Sequence, residues 1–500
     1  MGRHGLRFLR KAGSFVGPGF MIAVAYSTSS MTIRPRGGIC SPLDIVDPGN
    51  YSTDIAAGAS YRFRLLFVVL LSNIFAIFLQ SLAIKLGTVS GLNLAQACRA
   101  FLPPWLNYVL YFFAEAAIIA TDIAEVIGFA IALNLLIPQV PLVAGCAISI
   151  LDVMLILLFY RPDKSMGGLR LFEFFVVCLV LGVVVCFAIE LSLITNATVG
   201  EVFHGYLPSS ALIEQQGLYQ ACGILGATVM PHSLYLGSGI VQPRLYDFDA
   251  KNGHLPRQLT PAPNATATDT AAAAAAAPFE LDDNDNKARY TPSLAAIRHS
   301  LRASTIELTF ALFGFALFVN SAILIVAGAS LYENPDAVDA DIFTIHDLLA
   351  QSISPAAGTV FALALLLSGV SAGIVCTIAG QMVSEGALRW SISRPWLRRL
   401  VTRSISITPS IIIAGAVGRT GLGAALNASQ VCLSVVLPFV TAPLIWFTCW
   451  GKYMTVRQPD GSGRVVVMAN SWYTNVFAGL VWLGITVLNV ANLVLLAKGA

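Results

Sequence analysis

Five hundred residues that are 56% hydrophobic and 11% charged, with a mean hydropathy of +0.74, lie outside the composition of soluble globular chains. A net charge of +3 from 30 basic and 27 acidic residues is too small and too diluted for a nucleic-acid binder, and the same numbers exclude disordered and collagen-like chains. An all-α polytopic membrane protein, with the lipid bilayer as its partner, is what remains. Nine cysteines without a CxxC or paired spacing give neither a disulfide framework nor a zinc site.

The chain opens on Arg3, Arg7, Arg10 and Lys11, read as a cytosolic N-terminus over residues 1–12 because no small-residue cleavage site follows. A membrane-crossing helix needs about 20 apolar residues, and about eleven such spans are predicted. Six fall in residues 13–241: an interrupted segment at 13–26 with 46–60, then 65–88, 106–136, 141–160, 170–194 and 217–241. Residues 242–303 are expected to be a cytosolic linker. Its most biased part, 246–292, holds Pro261, Pro263, an alanine run at 271–277 and the acids Asp282, Asp283 and Asp285, a composition suited to docking cytosolic regulators. Five spans follow in residues 304–497, at 304–330, 355–383, 400–417, 424–450 and 473–497.

Lys and Arg set the orientation. With the N-terminus cytosolic, the inner loops carry Arg99, Arg161, Lys164, Arg244, Arg298, Arg389, Arg394 and Lys452, whereas the outer loops at 137–140, 195–216 and 331–354 carry acids such as Glu201 and Glu214 and no Lys or Arg. Arg62 and Arg64, on the outer side between the first two spans, break the rule.

Two spans carry helix breakers at membrane depth, Asp47-Pro48-Gly49-Asn50 in the first and Ala227-Thr228-Val229-Met230-Pro231-His232 in the sixth. Proline removes a backbone donor and glycine permits non-helical dihedrals, so both segments should unwind, which is tolerated at that depth only around a cavity or inside protein. Either proline alone is equally compatible with a simple kink. The pair, five spans apart, points to inverted repeats with a site between them. The donors there are the Asp47 carboxylate, the Asn50 amide, the Met230 thioether and freed backbone carbonyls. A thioether among oxygens favours a first-row dication such as Mn²⁺ or Fe²⁺ over magnesium or calcium. The third span holds Glu115, Asp122 and Glu125, and His232 follows the second break; titratable groups inside the membrane are candidates for proton handling, with a buried ion-pair network as the structural alternative.

These residues, with Gly17-Pro18-Gly19 and Thr121-Asp122-Ile123-Ala124-Glu125-Val126-Ile127-Gly128, resemble the Nramp family of proton-coupled divalent-metal transporters over about residues 13–497. The span count and long central linker resemble the fungal manganese and iron members. The resemblance implies a LeuT-like fold of two inverted five-helix repeats with discontinuous helices 1 and 6, plus an eleventh helix. It implies a symporter rather than an enzyme, moving Mn²⁺, Fe²⁺ and protons toward the cytosol by alternating access without a bound cofactor. Asp47, Asn50, Met230 and the Ala227 carbonyl become the metal ligands, joined in some states by Gln430 of Ser429-Gln430-Val431. His232, Glu125, Asp122 and Glu115, with Arg398 or Arg399 at the end of span nine, become the proton route. Two rival readings stay open: a non-transporting metal receptor, and a carrier of an organic solute on the same fold. The host membrane, plasma, endosomal or vacuolar, is undetermined.

Residues 27–46 depart from the family, which places one apolar residue between Ala25-Tyr26 and Asp47. Twenty residues stand there, among them Arg34, Pro35, Arg36 and Pro42, and each arginine costs about 2.5–3.5 kcal/mol within the bilayer. The insertion displaces Ala25, whose carbonyl the family pattern makes a ligand, and puts Asp44 at its spacing. Codons for Ser27, Ile45 and Val46 admit splice signals. Excising nineteen codons, three times nineteen or 57 nucleotides, restores Ala-Tyr-Ile-Asp-Pro-Gly-Asn, so a retained intron, or an isoform that transports poorly, is the expectation.

Overall fold

The computed structural model describes residues 47–151, 166–194, 196–253, 292–332, 342–352, 354–388, 395–416, 418–457 and 465–498. The N-terminal flank, the first half of span one, Ala25 and the insertion at 27–46 lie outside the described residues, as does most of the linker, 254–291.

From Asp47 onward the described chain is almost wholly helical. Helix α1 (Pro48–Tyr61) and α2 (Leu66–Ser90) lead to a short α3 (Leu94–Phe101), a long α4 (Pro104–Leu136), α5 (Leu142–Ile148) and α6 (Met166–Leu193). Short α7 (Val199–His204) and a 3-10 turn at Ser210–Ile213 precede α8 (Gln215–Val229), which stops at Met230 and resumes as α9 (Pro231–Gly239) and α10 (Gln242–Lys251). Then come α11 (Leu294–Ala311), a π-helical turn at Leu312–Ala316, α12 (Leu317–Ser330), α13 (Ile342–Ser352), α14 (Pro355–Leu388), α15 (Pro395–Ala416), α16 (Gly418–Cys449) and α17 (Trp472–Ala497). Between the last two, β1 (Thr455–Arg457) pairs antiparallel with β2 (Val465–Val467), Thr455 facing Val467. Seven of the described helical stretches are long and apolar enough to cross a membrane.

Burial separates central helices from peripheral ones. The apolar window of α14 is 78% buried, whereas that of α17 is 22% buried and turns Leu480, Leu483 and Val487 outward, as a lipid-facing helix must. Small residues let the central helices approach, the usual device where lipid gives no hydrophobic drive between helices. Gly369 and Gly380 of α14 lie against Phe129 and Ile118 of α4, and a Cβ on Gly58 of α1 would stand 2.6 Å from the Leu324 carbonyl of α12.

Two charged features depart from a simple span-and-loop picture. Residues expected as linker from 242 and up to 303 begin and end as helix, because Ser293 caps α11, accepting from the Ala296 N–H at 3.1 Å. Asp249 of α10 in turn accepts from the Ser293 N–H at 2.8 Å and hydroxyl at 2.5 Å, and Arg244 pairs with Glu307 at 3.1 Å, so α10 is tied along the start of α11. At the opposite end, Arg62 pairs with Glu201 and Arg64 with Glu214, each at 3.5 Å, and the Ser209 hydroxyl donates to the Arg64 carbonyl at 2.8 Å. The two arginines that break the charge rule are thus matched by the acids of the 195–216 loop.

Candidate metal and proton site

At the first break Asp47 is extended (φ −116°, ψ 142°) and caps α1 from outside, with Pro48 at the first helical position where its missing N–H costs nothing. The Asp47 carbonyl accepts from the Asn50 N–H at 2.9 Å. Its carboxylate therefore sits at the positive end of α1. Asp47 is 1% and Asn50 2% exposed. Gly49 makes the arrangement fit: a Cβ there would stand 2.6 Å from Asp47 Oδ2 and overlap the Gln430 amide, so carboxylate and amide share the space a side chain would take.

At the second break Met230 adopts φ 42°, a left-handed value rare outside glycine, and is buried. Helix α8 ends and α9 begins at this one residue. Pro231 has no N–H, so the Ala227 carbonyl loses the donor four residues on that would continue the helix, leaving an oxygen available for a ligand. The Met230 carbonyl is turned the other way and accepts from the Ser233 N–H at 3.1 Å. Helix α16 serves both breaks. The Gln430 side chain meets Gly49, while its backbone packs on Gly226, where a Cβ would lie 2.8 Å from the Ser434 nitrogen.

Helix α4 runs past both. Gly128 packs on the Pro48 ring, and two turns back, Thr121 Oγ1 lies 3.2 Å from His232 Nδ1. These contacts are seven residues apart, about 10 Å along the helix. Between them Asp122 and Glu125 share a face and meet Arg403 of α15, which bonds directly to Asp122 Oδ1 and lies 3.5 Å from Glu125 Oε2. All three are buried. Glu115 stands two turns earlier on α4, half-buried beside Tyr111.

Of the residues singled out in the sequence, the fold thus joins Asp47 to Gln430, carries Ala227 and Met230 on the adjoining break with Asn50 buried on α1, and sets His232, Asp122 and Glu125 along α4. The side chains of Arg398 and Arg399 lie outside the described residues. The arginine on the carboxylates is Arg403, one turn further along α15, which the sequence reading passed over. The signal was present: Arg403 is a lone charge inside the span predicted at 400–417, and an intramembrane charge marks function by default. Thr121 was missed because hydroxyls are common in membrane helices. Asp54 and Glu190 were missed as well; both are buried carboxyls without hydrogen-bond partners among the described residues.

A family model described as natural resistance-associated macrophage protein-like, Nramp, matches residues 39–495, more than nine-tenths of the chain. The chain belongs to the Nramp family. Among curated relatives of this Nramp protein, the manganese transporter SMF1 of Saccharomyces cerevisiae is 48% identical over 96% of this chain and 85% of its own. The iron transporter SMF3 of the same yeast is 46% identical, over 93% and 88%. Among solved structures, a mutant of the manganese transporter of Eremococcus coleocola superposes with a TM-score of 0.66 at 31% identity, over 89% of this chain and 83% of that one. The protein is accordingly an integral multi-pass membrane protein of all-α, LeuT-like fold, and the break between α8 and α9 is the discontinuity of helix 6 in that fold.

Proposed function

We propose that this Nramp protein carries Mn²⁺ and Fe²⁺ together with protons toward the cytosol by alternating access. The observation that carries the reading is the shared space at Gly49, where the Asp47 carboxylate and the Gln430 amide adjoin a second break bearing the freed Ala227 carbonyl and the Met230 thioether. One carboxylate, neutral oxygens and a soft sulfur suit a first-row dication better than calcium or magnesium. The relatives named as manganese and iron transporters support the same cargo.

Protons travel along α4 on this reading. His232 is linked to α4 through Thr121, and Glu125 and Asp122 follow toward Arg403. Two carboxylates against one guanidinium leave one negative charge in excess, a place for a proton in a medium that tolerates no net charge cheaply. The Lys and Arg bias supports a cytosolic position for the linker and α10.

Metal and proton flux in proteoliposomes test this together. We expect Mn²⁺ uptake accompanied by proton entry in the parent, and in Glu125→Gln metal uptake that no longer depends on the pH gradient. Metal binding without flux would make the protein a receptor; intact pH-dependent cotransport in Glu125→Gln would return that residue to a structural role. For residues 27–46 we infer a retained intron or a poorly transporting isoform. Sequencing the transcript checks this: a message coding all twenty residues whose product transports normally removes both alternatives.

A further inference from the structure

The carboxylate face of α4 meets a group that proton handling does not use. Cys376 of α14 lies against α4, its thiol donating to the Ile118 carbonyl at 3.7 Å. Its Sγ and carboxylate oxygens of Asp122 and Glu125 lie within 4.8 Å of one another, and all three residues are buried. Glu125, 1% exposed, has an oxygen, Oε2, that accepts no hydrogen bond, with Arg403 Nη1 at 3.5 Å.

Charge and ligand chemistry agree on what fits. Asp122, Glu125 and Arg403 sum to one negative charge. A dication that binds as the Cys376 S–H gives up its proton to solvent adds two positive charges and one negative, bringing the buried cluster to neutrality. Two carboxylates and one thiolate are ligands zinc accepts in tetrahedral sites, with the fourth position open. Ligand atoms around zinc at 2.0–2.3 Å stand roughly 3.3–3.8 Å apart, so the three side chains need close by only about 1 Å. Mn²⁺ and Fe²⁺ lie lowest in the affinity order of divalent first-row ions and gain least from a thiolate.

We propose that Asp122, Glu125 and Cys376 form a second metal site, selective for Zn²⁺ and similarly thiophilic dications and sharing no ligand with the site at Asp47 and Met230, and that its occupation blocks transport by filling the proton route. The blocking role rests on the proton-route reading above; the binding site does not.

Cd²⁺, a thiophilic stand-in for Zn²⁺ with an ultraviolet thiolate-to-metal absorption, reports the site directly. Titrated into the purified full chain, it should give a thiolate band that persists in Asp47→Ala, weakens in Glu125→Gln and is lost in Cys376→Ser. No band in the parent, or an unchanged band in Cys376→Ser, overturns the site. Zn²⁺ inhibition of Mn²⁺ uptake then tests the blocking role. It should be noncompetitive with Mn²⁺ and weaken by roughly tenfold or more in Cys376→Ser, whose own uptake stays near that of the parent. Loss of the Cd²⁺ band without relief of Zn²⁺ inhibition overturns the blocking role. Failure of the proton-route reading looks different: pH-dependent cotransport would survive Glu125→Gln whether or not Cys376 binds Cd²⁺.

Discussion

The two helix breaks and the α4 cluster lie side by side yet are built on opposite logics. The breaks are made by neighbours in sequence: Pro48 opens α1 directly after Asp47, and Pro231 beside Met230 withholds the donor that would pair the Ala227 carbonyl. The cluster is made by partners 281 residues apart, with Arg403 of α15 reaching Asp122 of α4. At the breaks one carboxylate lies among neutral donors, an arrangement whose charge a cation would complete. In the cluster a fixed guanidinium already answers one of the two negative charges. On the proposed reading, local geometry prepares a place for the metal, and long-range pairing prepares a place where a single charge can come and go.

The sharpest way to break this comparison is to remove the one full charge at the breaks. Asp47→Ala should reduce Mn²⁺ uptake in proteoliposomes to the level of empty vesicles while the purified protein melts close to the parent. Appreciable residual uptake would mean that the metal does not pass the Asp47 carboxylate. The cluster should respond in the other way. Arg403→Gln strands two carboxylates in a buried setting, a loss of about 3–5 kcal/mol where one partner of a buried pair is removed. A marked fall in melting temperature is expected, partly restored by adding Asp122→Asn in the same chain. If Arg403→Gln melts like the parent, the pairing contributes nothing to the fold.

The same contrast explains what could be read from the sequence. The helical spans were legible because about 20 apolar residues are a local property. The metal-site candidates were legible because proline, glycine and a titratable or soft side chain stand within a few positions of each other. Gln430 came only through family resemblance; nothing local to Ser429-Gln430-Val431 says that its amide will fill the space over Gly49. Arg403 is a single charge inside an apolar span with no local motif around it, whereas Arg398-Arg399 stand together at the span end; only the fold brings Arg403 onto Asp122. The partners of Arg62 and Arg64 were equally hidden, because Glu201 and Glu214 meet them only through folding, Glu201 from 139 residues away. Helix α11 begins at Leu294 rather than near 304 because Ser293, capped onto Asp249, extends a polar turn that hydropathy cannot register.

A finer test separates the soft ligand from the hard ones at the breaks. Met230→Ala leaves the Asp47 and Asn50 oxygens in place, so Mn²⁺ should still pass while Ca²⁺ no longer meets an unfavourable sulfur. The ratio of Ca²⁺ to Mn²⁺ uptake should rise by a factor of roughly 5 to 30, the range that one or two kcal/mol spans. An unchanged ratio would take Met230 out of the selectivity argument and leave it as packing at a strained turn.

The smallest effect is expected where ion pairing is exposed, and it measures how far the α4 cluster owes its strength to burial. Glu201 pairs with Arg62 as Asp122 does with Arg403, but both surface side chains are more than a third exposed. Exposed pairs contribute little and are screened by salt. Hydrogen bonds from the backbone N–H and hydroxyl of Thr198, with Arg62 nearby, hold the Glu201 carboxyl below the usual carboxylate range. A lowered acid favours the folded state above its unfolded value of about 4.3 and loses that contribution as pH falls through its lower folded value. Glu201→Gln keeps the capping box, since a glutamine oxygen accepts the Thr198 N–H as the carboxylate does at 3.0 Å, and so removes the charge alone. The parent should melt only slightly above this variant at neutral pH and low salt, the gap should hold steady down to about pH 5, and it should close below about pH 4. A gap as large as that of Arg403→Gln would mean that pairing, not burial, sets the strength of both.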